Sequence, residues 1–362
     1  MFNLLLLIPI LFSGRIHPLD TLPPETVITV PQKNHTWVPL EEVSNPLYSQ
    51  SVIEKAKMDP SVLENAYKEI VGQPYLKSAN RTLKYPSLFK LRLESFLHHT
   101  PFTFLAIALY LLVLWKPFFF NPAFGLHSLL LLTRAYILAR PPVSNMMETI
   151  LYVPWVVALS GLIFGYKKPA AVVAALLLLF LPIKQQFENV QAVLDSSYWL
   201  TIHVLMVVGS YGLFFFAGIM GHIALIRGGK QWARTLVNSM YVGTALLICG
   251  TILGGMWALN SWGRFWDWDP KESWAFISSG LYLIIIHAYK FGVVKERGLA
   301  VGSIIGLAAI SFTWYGVNYI LGTGLHSYGF GEGGSTFFYL YLFLEVLFIS
   351  IISFTKKERD CK

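Results

Sequence analysis

The chain alternates between long apolar runs and short polar segments over most of its length. Most of the apolar runs are long enough to cross about 30 Å of hydrocarbon as helices, and the run at 169–183 is the weakest. In lipid, every backbone N–H and C=O must find a partner within the protein, which helices achieve by themselves. The pattern therefore predicts an all-α polytopic membrane protein with about nine transmembrane helices. The runs are 101–117, 122–139, 148–165, 169–183, 198–226, 237–258, 274–290, 298–320 and 336–354.

The residues before the first long run divide into two parts. Met1–Phe12 is apolar but short for a full span, which favours a short anchor or signal-like segment over 1–13. Residues 14–98 mix prolines with charges and predict a small region outside the membrane. The transmembrane domain then covers 99–355, and 356–362 form a polar tail.

Composition narrows the class further. The chain is 55% hydrophobic and only 13% charged, with a mean hydropathy of +0.54, which excludes an ordinary soluble domain. The formal net charge of +8 is carried largely by short loops, and no basic patch interleaved with aromatic residues indicates a nucleic-acid partner. Two cysteines, Cys249 and Cys361, are too few for a disulfide framework or a zinc site. Without a Cys-x-x-Cys-His motif, the chain is not itself a c-type cytochrome.

The distribution of lysine and arginine predicts the orientation. If all nine runs cross the membrane, the loops 166–168, 227–234 and 289–297 and the tail lie on one side, and they hold most of the short-loop basic residues. Such loops face the cytoplasm in membrane proteins. The opposite loops, at 141–147, 184–198, 260–273 and 322–335, are then extracytoplasmic, as is the region before residue 98.

One outer loop is unusually rich in tryptophan. Five of the eleven tryptophans lie within 257–274, interleaved with glycine and charged residues; they are Trp257, Trp262, Trp266, Trp268 and Trp274. An interfacial aromatic belt is the alternative, but a belt places one or two aromatic residues at each helix end. Broad indole faces suit a large flat apolar ligand, and Arg264 or Lys271 could meet carboxylates on it.

The end of this loop also predicts a helix start. Asp269, Pro270 and Glu272 have the spacing of a capping box with proline at the first helical position. Asp269 is therefore interpreted as a structural cap that fixes where the loop ends and the next span begins.

Two histidines share the outer level with the tryptophan loop. His203 lies about 7 Å inside the run 198–226, and His326 lies in the glycine-rich outer loop GTGLHSYGFGEGG. Histidine in a spanning segment is a functional candidate, although a packed, hydrogen-bonded residue is the ordinary alternative. One imidazole on each face of a flat macrocycle would make a bis-histidine haem site.

Further histidines lie near the cytoplasmic level. His287 is about 20 Å deeper than Trp274 along the same predicted helix, so it would belong to a separate inner haem site. His127 and His222 have similar depth and are possible partners, but the packed-residue interpretation is preferred for each. His98 and His99 are expected at the membrane edge, whereas His17 and His35 belong to the region outside the membrane.

Four motifs in order resemble a known family. WGRFWDWDPKESWAF resembles the tryptophan-rich "WWD" signature of haem-handling proteins in cytochrome c biogenesis. RPPVSNMMET, YWLTIHVLMVVGSYG and GVNYILGTGLHSYG narrow the resemblance to the CcsA type, over about residues 98–330. The segment GRIHPLDT is similar to one found in CcsA relatives fused to their CcsB partner.

The resemblance implies a specific function. Family members bind haem b at the outer face between two histidines, which correspond to His203 and His326, and the loop Trp262–Trp274 holds the haem. His287 would belong to an inner site on the haem export path, with its opposite ligand linked to the CcsB side. The implied complex is a holocytochrome c synthase of the bacterial inner membrane, with a separate CcsB-type partner. It attaches haem to the Cys-x-x-Cys-His thiols of apocytochrome c.

Three rival interpretations stand beside this one. A b-type cytochrome subunit that passes electrons would also hold histidines at two depths, but it would not need a tryptophan-rich docking surface. A protein that delivers haem to a carrier without attaching it would share the WWD loop. A transporter or scaffold that does not handle haem predicts a chain without Soret absorption.

Overall fold

The computed structural model describes residues 9–12, 15–18, 21, 75–78, 81–84, 87–181, 196–228, 230–322, 324 and 335–360. These residues fall into two compact units. The first covers residues up to Phe102 together with 182–191, and the second covers the rest of the chain.

The first unit contains two β-hairpins and a helix. Strand β1 (Pro9–Phe12) pairs antiparallel with β2 (Arg15–Pro18), and β3 (Tyr75–Ser78) pairs antiparallel with β4 (Arg81–Lys84). Helix α1 spans Leu88–His99 and begins at the N-cap Ser87. Part of the predicted anchor is thus a strand, because Pro9–Phe12 pairs with β2.

Helix α1 carries a buried acid that the sequence did not point to. Glu94 is 1% exposed, and its Oε1 lies 3.1 Å from Nδ1 of His17 in β2. His98 is also buried, whereas the prediction placed it at a membrane edge. His17 therefore contributes to the packing of the first unit and is not a surface residue.

The second unit is a bundle of helices that corresponds to the nine predicted apolar runs. They are α2 (Phe102–Leu112), α3 (Phe120–Leu138), α4 (Met146–Ile163), α5 (Lys167–Leu178), α6 (Leu205–Arg227), α7 (Ala233–Trp262), α8 (Pro270–Lys290), α9 (Glu296–Ser311) and α10 (Ser335–Asp360). Two π-helical segments extend this set: Leu200–Val204 leads into α6, and Phe312–Leu321 continues α9.

Fewer helices than predicted meet the length and composition of a full span. Among the described residues, five do so, namely Met146–Ile163, Ser197–Arg227, Lys230–Trp262, Glu296–Leu321 and Ser335–Ile352. The bent pair Phe89–His99 and Phe102–Leu112 would make a sixth if it forms one span. Helix α5 has 12 residues and so is only about 18 Å long, which explains why its run was the weakest of the nine. Apart from the two short hairpins, the described chain is an all-α membrane protein whose helices differ in length.

Helix α6 lies at the centre of the larger apolar core and packs against α4, α7 and α9. Close approach to α9 depends on a small residue, because a Cβ at Gly221 would be 2.2 Å from the Ser303 hydroxyl. Such contacts are typical of membrane helices, where packing replaces the hydrophobic effect between helices. A second core joins α2, α3, α4 and α5. The central position of α6 fixes the π-helical turn that precedes it, and this turn carries His203.

Candidate functional site

A cavity opens where several helices of the second unit end. It holds about 820 Å³ of atom-free space, a volume that includes its open mouth. Its walls come from the starts of α4, α6 and α8, the end of α7, and the π-helix after α9. These are the helix ends that the loop alternation placed on one side of the membrane. The polar or aromatic side chains that line it include Thr149, His203, Trp266, Lys271 and Asn318.

His203 is held on the cavity wall by the π-helical turn Leu200–Val204. Its Nδ1 lies 2.7 Å from the carbonyl oxygen of Gly250 on α7. A carbonyl only accepts, so Nδ1 carries the proton and the neutral ring has its lone pair on Nε2. This arrangement is typical of histidines that bind metal, where a backbone carbonyl fixes the tautomer. Short π-helical segments are also frequent at functional sites.

Glycine on α7 makes room for this imidazole. A Cβ at Gly254 would be 2.5 Å from Cε1 of His203, well below any normal contact. The ring of Trp257, one turn further along α7, lies edge-on to the imidazole with 5.8 Å between centroids. The His203 ring is therefore enclosed by α7, and its position depends on that helix.

The five tryptophans occupy different environments. Helix α7 continues to Trp262, so Trp257 and Trp262 are helical and the loop proper is Gly263–Asp269, shorter than predicted. Trp257 is buried, whereas Trp268 is 71% exposed. Trp266 lines the cavity and lies edge-on to Trp268 at 5.8 Å. Trp274 packs on Phe312 of the π-helix at 4.3 Å. Only part of the tryptophan set therefore faces the cavity.

Trp268 has an unusual backbone conformation. Its φ angle of 56° lies in the left-handed region, which costs a non-glycine residue about 1–2 kcal/mol. The capping box that follows holds it there. Asp269 accepts a hydrogen bond from the backbone N–H of Lys271, and Glu272 accepts one from the N–H of Asp269. The capping role predicted for Asp269 is confirmed.

Asp269 also touches the chain that leads toward His326. Gly324 has φ 117°, and a Cβ there would be 2.3 Å from Oδ2 of Asp269. Only glycine fits this close approach. The start of α8 and the segment after the π-helix thus meet at one carboxylate. His326 itself lies outside the described residues.

The two basic residues proposed for a carboxylated ligand are placed differently. Arg264 is exposed and pairs with Asp267, with 2.6 Å between Nη1 and Oδ1, and it does not line the cavity. Lys271 does line it, and its Nζ donates to the carbonyl oxygens of Thr313 and Trp314 at 2.8 and 2.9 Å. Burial lowers the pKa of the Lys271 ammonium to about 7, against the attraction of Asp269. A bound anion would raise the pKa again.

A buried ionic cluster supports the wall beside α4, and sequence reasoning missed it. Glu148 is 1% exposed and accepts from Arg140 at 2.9 Å, from the backbone N–H of Ser144 at 2.9 Å and from its hydroxyl at 2.8 Å. Arg134 lies 3.5 Å away on α3. The signal was present as two arginines and one glutamate among apolar runs. The cluster holds the turn before α4, from which Val143 and Asn145 line the cavity.

The inner histidines separate into two kinds. His127 is fully buried, with Nδ1 3.1 Å from the Tyr110 hydroxyl and Nε2 2.8 Å from the carbonyl oxygen of Leu151. His222 uses Nδ1 on Gly218 and Nε2 on Glu345, each at 2.8 Å. Both rings are engaged at both nitrogens, which agrees with the packed-residue interpretation.

His287 is different from these two. It is exposed, and its Nδ1 donates to the Leu283 carbonyl oxygen at 2.7 Å, which leaves Nε2 as the nitrogen suited to a metal. The separate inner haem site at His287 stays a prediction.

Comparison with known proteins gives one family match. A family model described as "Cytochrome C assembly protein" matches residues 143–326, which contain the cavity and the tryptophan loop. Protein NrfI of Wolinella succinogenes is 30% identical over an alignment of 384 positions, covering 89% of this chain but 40% of NrfI. Cytochrome c biogenesis protein CcsA of Synechococcus sp. (strain CC9902) is 26% identical, over 52% of this chain and 78% of that protein.

The chain also resembles solved structures in its fold. The chain named cytochrome c heme lyase CcmF matches 76% of this chain with a TM-score of 0.51 and 18% identity, and the match covers 53% of that chain. At this identity the likeness concerns the fold. The chain spans less than half the length of NrfI and about half that of the CcmF chain.

Proposed function

This chain belongs to the cytochrome c assembly protein family, and on that premise we propose that it binds haem in the cavity beside His203 and presents it at the outer membrane face to an apocytochrome c. One observation carries the proposal. The hydrogen bond from Nδ1 of His203 to Gly250 fixes the tautomer whose Nε2 can bind iron, on the wall of a cavity lined by Trp266 and apolar side chains. A histidine that only packs against its neighbours would not need both a fixed tautomer and a position on the cavity wall.

The cavity fits the substrate in three respects. The indole of Trp266 offers an aromatic face, and the branched apolar residues Val204 and Val207 line the wall next to His203. Lys271 supplies a cation for a propionate. His326 is proposed as the second axial ligand. Its neighbour Gly324 contacts Asp269 at the end of the tryptophan loop, which supports its assignment to the same site.

The proposed chemistry is haem attachment by a holocytochrome c synthase complex. Each cysteine thiol of a Cys-x-x-Cys-His motif adds across a vinyl group of ferrous haem b, so that sulfur bonds to one vinyl carbon and the proton goes to the other. The residues of this chain bind and orient the haem and limit its contact with water, and positioning of this kind can supply much of a rate enhancement. A CcsB-type partner is proposed to act with it.

His287 is proposed to bind haem at an inner site on an export path. Its Nδ1 is bonded to the carbonyl oxygen of Leu283, so Nε2 is the nitrogen that would bind the iron. Because His287 is exposed, the second axial ligand of that haem would come from outside the core of the second unit. His127 and His222 use both ring nitrogens in other contacts. The opposite ligand is therefore assigned to the CcsB-type partner.

An optical spectrum of the purified full-length chain tests haem binding. We expect a Soret band with a low-spin bis-histidine signature, because two imidazoles impose a strong ligand field on the iron. Spectra would be recorded in the oxidised and reduced states, with haem quantified in the same sample. A chain that carries no haem after isolation and takes up none when haem is added would contradict the proposal.

The membrane side is tested by cysteine labelling. We propose a bacterial inner membrane with the tryptophan loop extracytoplasmic and the C-terminus cytoplasmic. In a chain whose Cys249 and Cys361 are replaced by serine, Ser261→Cys should react with an impermeant thiol reagent added to intact cells, whereas Gly228→Cys should react only after lysis. Labelling of position 228 in intact cells would show that the orientation is the opposite one and that the cavity lies on the cytoplasmic side.

A further inference from the structure

Asn318 is a buried polar residue on the cavity wall. It lies in the π-helix Phe312–Leu321 and is 4% exposed. Its Oδ1 has no hydrogen-bond partner among the residues that the structure describes. Leaving a buried polar atom without a partner is unfavourable, because the atom loses its hydrogen bond to water and gains none in exchange. Because Asn318 lines the cavity, a molecule bound there is the natural partner for this carboxamide.

Lys271 brings a cation to the same wall. Its Nζ donates to the carbonyl oxygens of Thr313 and Trp314, in the first turn of the π-helix that carries Asn318. An ammonium has three N–H groups, and these bonds use two of them. The carbonyl contacts fix the cation at the π-helical wall, whereas His203 belongs to a different wall at the start of α6. The cavity is therefore polar at two separate places.

The carboxylates beside this cation accept hydrogen bonds from backbone N–H groups, and Asp269 in addition attracts the ammonium. Glu272 also lines the cavity, but its Oε2 accepts from the backbone N–H groups of Asp267 and Asp269 at 3.0 and 3.3 Å. Oδ1 of Asp269 accepts from the backbone N–H of Lys271, not from its ammonium. The other basic candidate, Arg264, is engaged with Asp267 outside the cavity.

We propose that Asn318 and Lys271 form a carboxylate-binding corner that receives one propionate of the haem and thereby sets its orientation in the cavity. This inference rests on the proposed function. Lys271 contributes its charge and its third N–H to the carboxylate. The two ends of the Asn318 carboxamide have nearly the same shape, so a half turn about Cβ–Cγ presents Nδ2–H to the same space. Hydrogen bonds to charged groups are roughly twice as strong as neutral ones.

The corner has a consequence for the reaction. Propionates and vinyl groups lie on opposite halves of the haem macrocycle. A propionate held at the π-helical wall therefore directs the vinyl half away from that wall. Asn318 and Lys271 act as positioning residues that select which edge of the haem the apocytochrome thiols meet.

The test compares haem b with its dimethyl ester, in which both carboxylates are blocked. Both ligands would be titrated into the haem-free full-length chain, and affinity would be read from the Soret band. We expect the wild-type chain to bind haem about tenfold more tightly than the ester, equivalent to about 1.4 kcal/mol. Asn318→Leu and Lys271→Met should each bring the ratio close to one, with little change in ester affinity. Asn121→Leu, in the first turn of α3 and not part of the cavity lining, is the control and should keep the wild-type ratio.

A further variant keeps the test independent of folding. Asn318→Asp preserves the size of the side chain but adds a negative charge, so it should invert the ratio and favour the ester. If the wild-type chain binds both ligands and all variants share its ratio, the corner is wrong while haem binding stands. If the wild-type chain binds neither ligand, it is the proposed function that fails.

Discussion

His203→Gly is expected to lower cytochrome c assembly by more than about 100-fold while leaving part of the haem bound. Loss of a metal ligand should exceed the 10–100-fold cost that is usual for losing one of its supporting partners. The Trp266 surface and the propionate corner do not depend on this imidazole, so haem retention should fall only partly. The measurement is the yield of covalently attached haem in cells that also express the partner, together with the spectrum of the purified variant.

Added imidazole should restore part of the lost assembly. Removal of the ring leaves a space against Gly250, Gly254 and Trp257 that a free imidazole can occupy. His127→Gly is the matched control. It removes a buried ring and its contacts with Tyr110 and Leu151, so it should lower the amount of protein. Normalised to that amount, its spectrum should be unchanged and insensitive to imidazole. Wild-type assembly in His203→Gly would show that the iron is bound elsewhere.

Glu148→Ala should have the largest effect on stability. It leaves the guanidinium groups of Arg134 and Arg140, which are 3% and 7% exposed, buried without the carboxylate between them. Breaking a buried ion pair in this way costs about 3–5 kcal/mol. Native proteins are stable by only about 5–15 kcal/mol in total. We therefore expect strongly reduced yield and a large fall in the midpoint of thermal unfolding in detergent.

The matched control for this variant is Glu296→Gln in the first turn of α9, where the side chain is only partly buried. Its midpoint should stay close to that of the wild-type chain, since substitutions away from buried networks usually change stability by about 0.5 kcal/mol or less. Glu148→Gln keeps acceptor oxygen for Ser144 and should be intermediate. Equal midpoints for Glu148→Ala and the wild-type chain would mean that the ionic cluster does not stabilise the fold.

Local and periodic features were predictable from the sequence. The apolar runs predicted the helices, because hydrocarbon tolerates only segments that satisfy their own backbone. The capping box at Asp269 and Glu272 was predictable because its partners are three residues apart. The motifs around the tryptophans pointed to the cytochrome c assembly family, which the family match confirmed. The lengths of the spans were less well predicted, since α5 and α2 are apolar enough to resemble spans but are short.

Contacts between distant segments were decided only by the tertiary structure. The sequence identified His203 as a candidate ligand. It did not identify the carbonyl oxygen of Gly250, 47 positions away, which fixes the tautomer of His203. It identified both Arg264 and Lys271 as candidate partners for a carboxylate, but only Lys271 lies on the cavity wall. Asn318 lies in the motif GVNYILGTGLHSYG, but that motif did not show that its side chain faces the cavity. A side chain's partners depend on which helix faces meet, and the energies that choose among such packings are sums over many residues that no short motif contains.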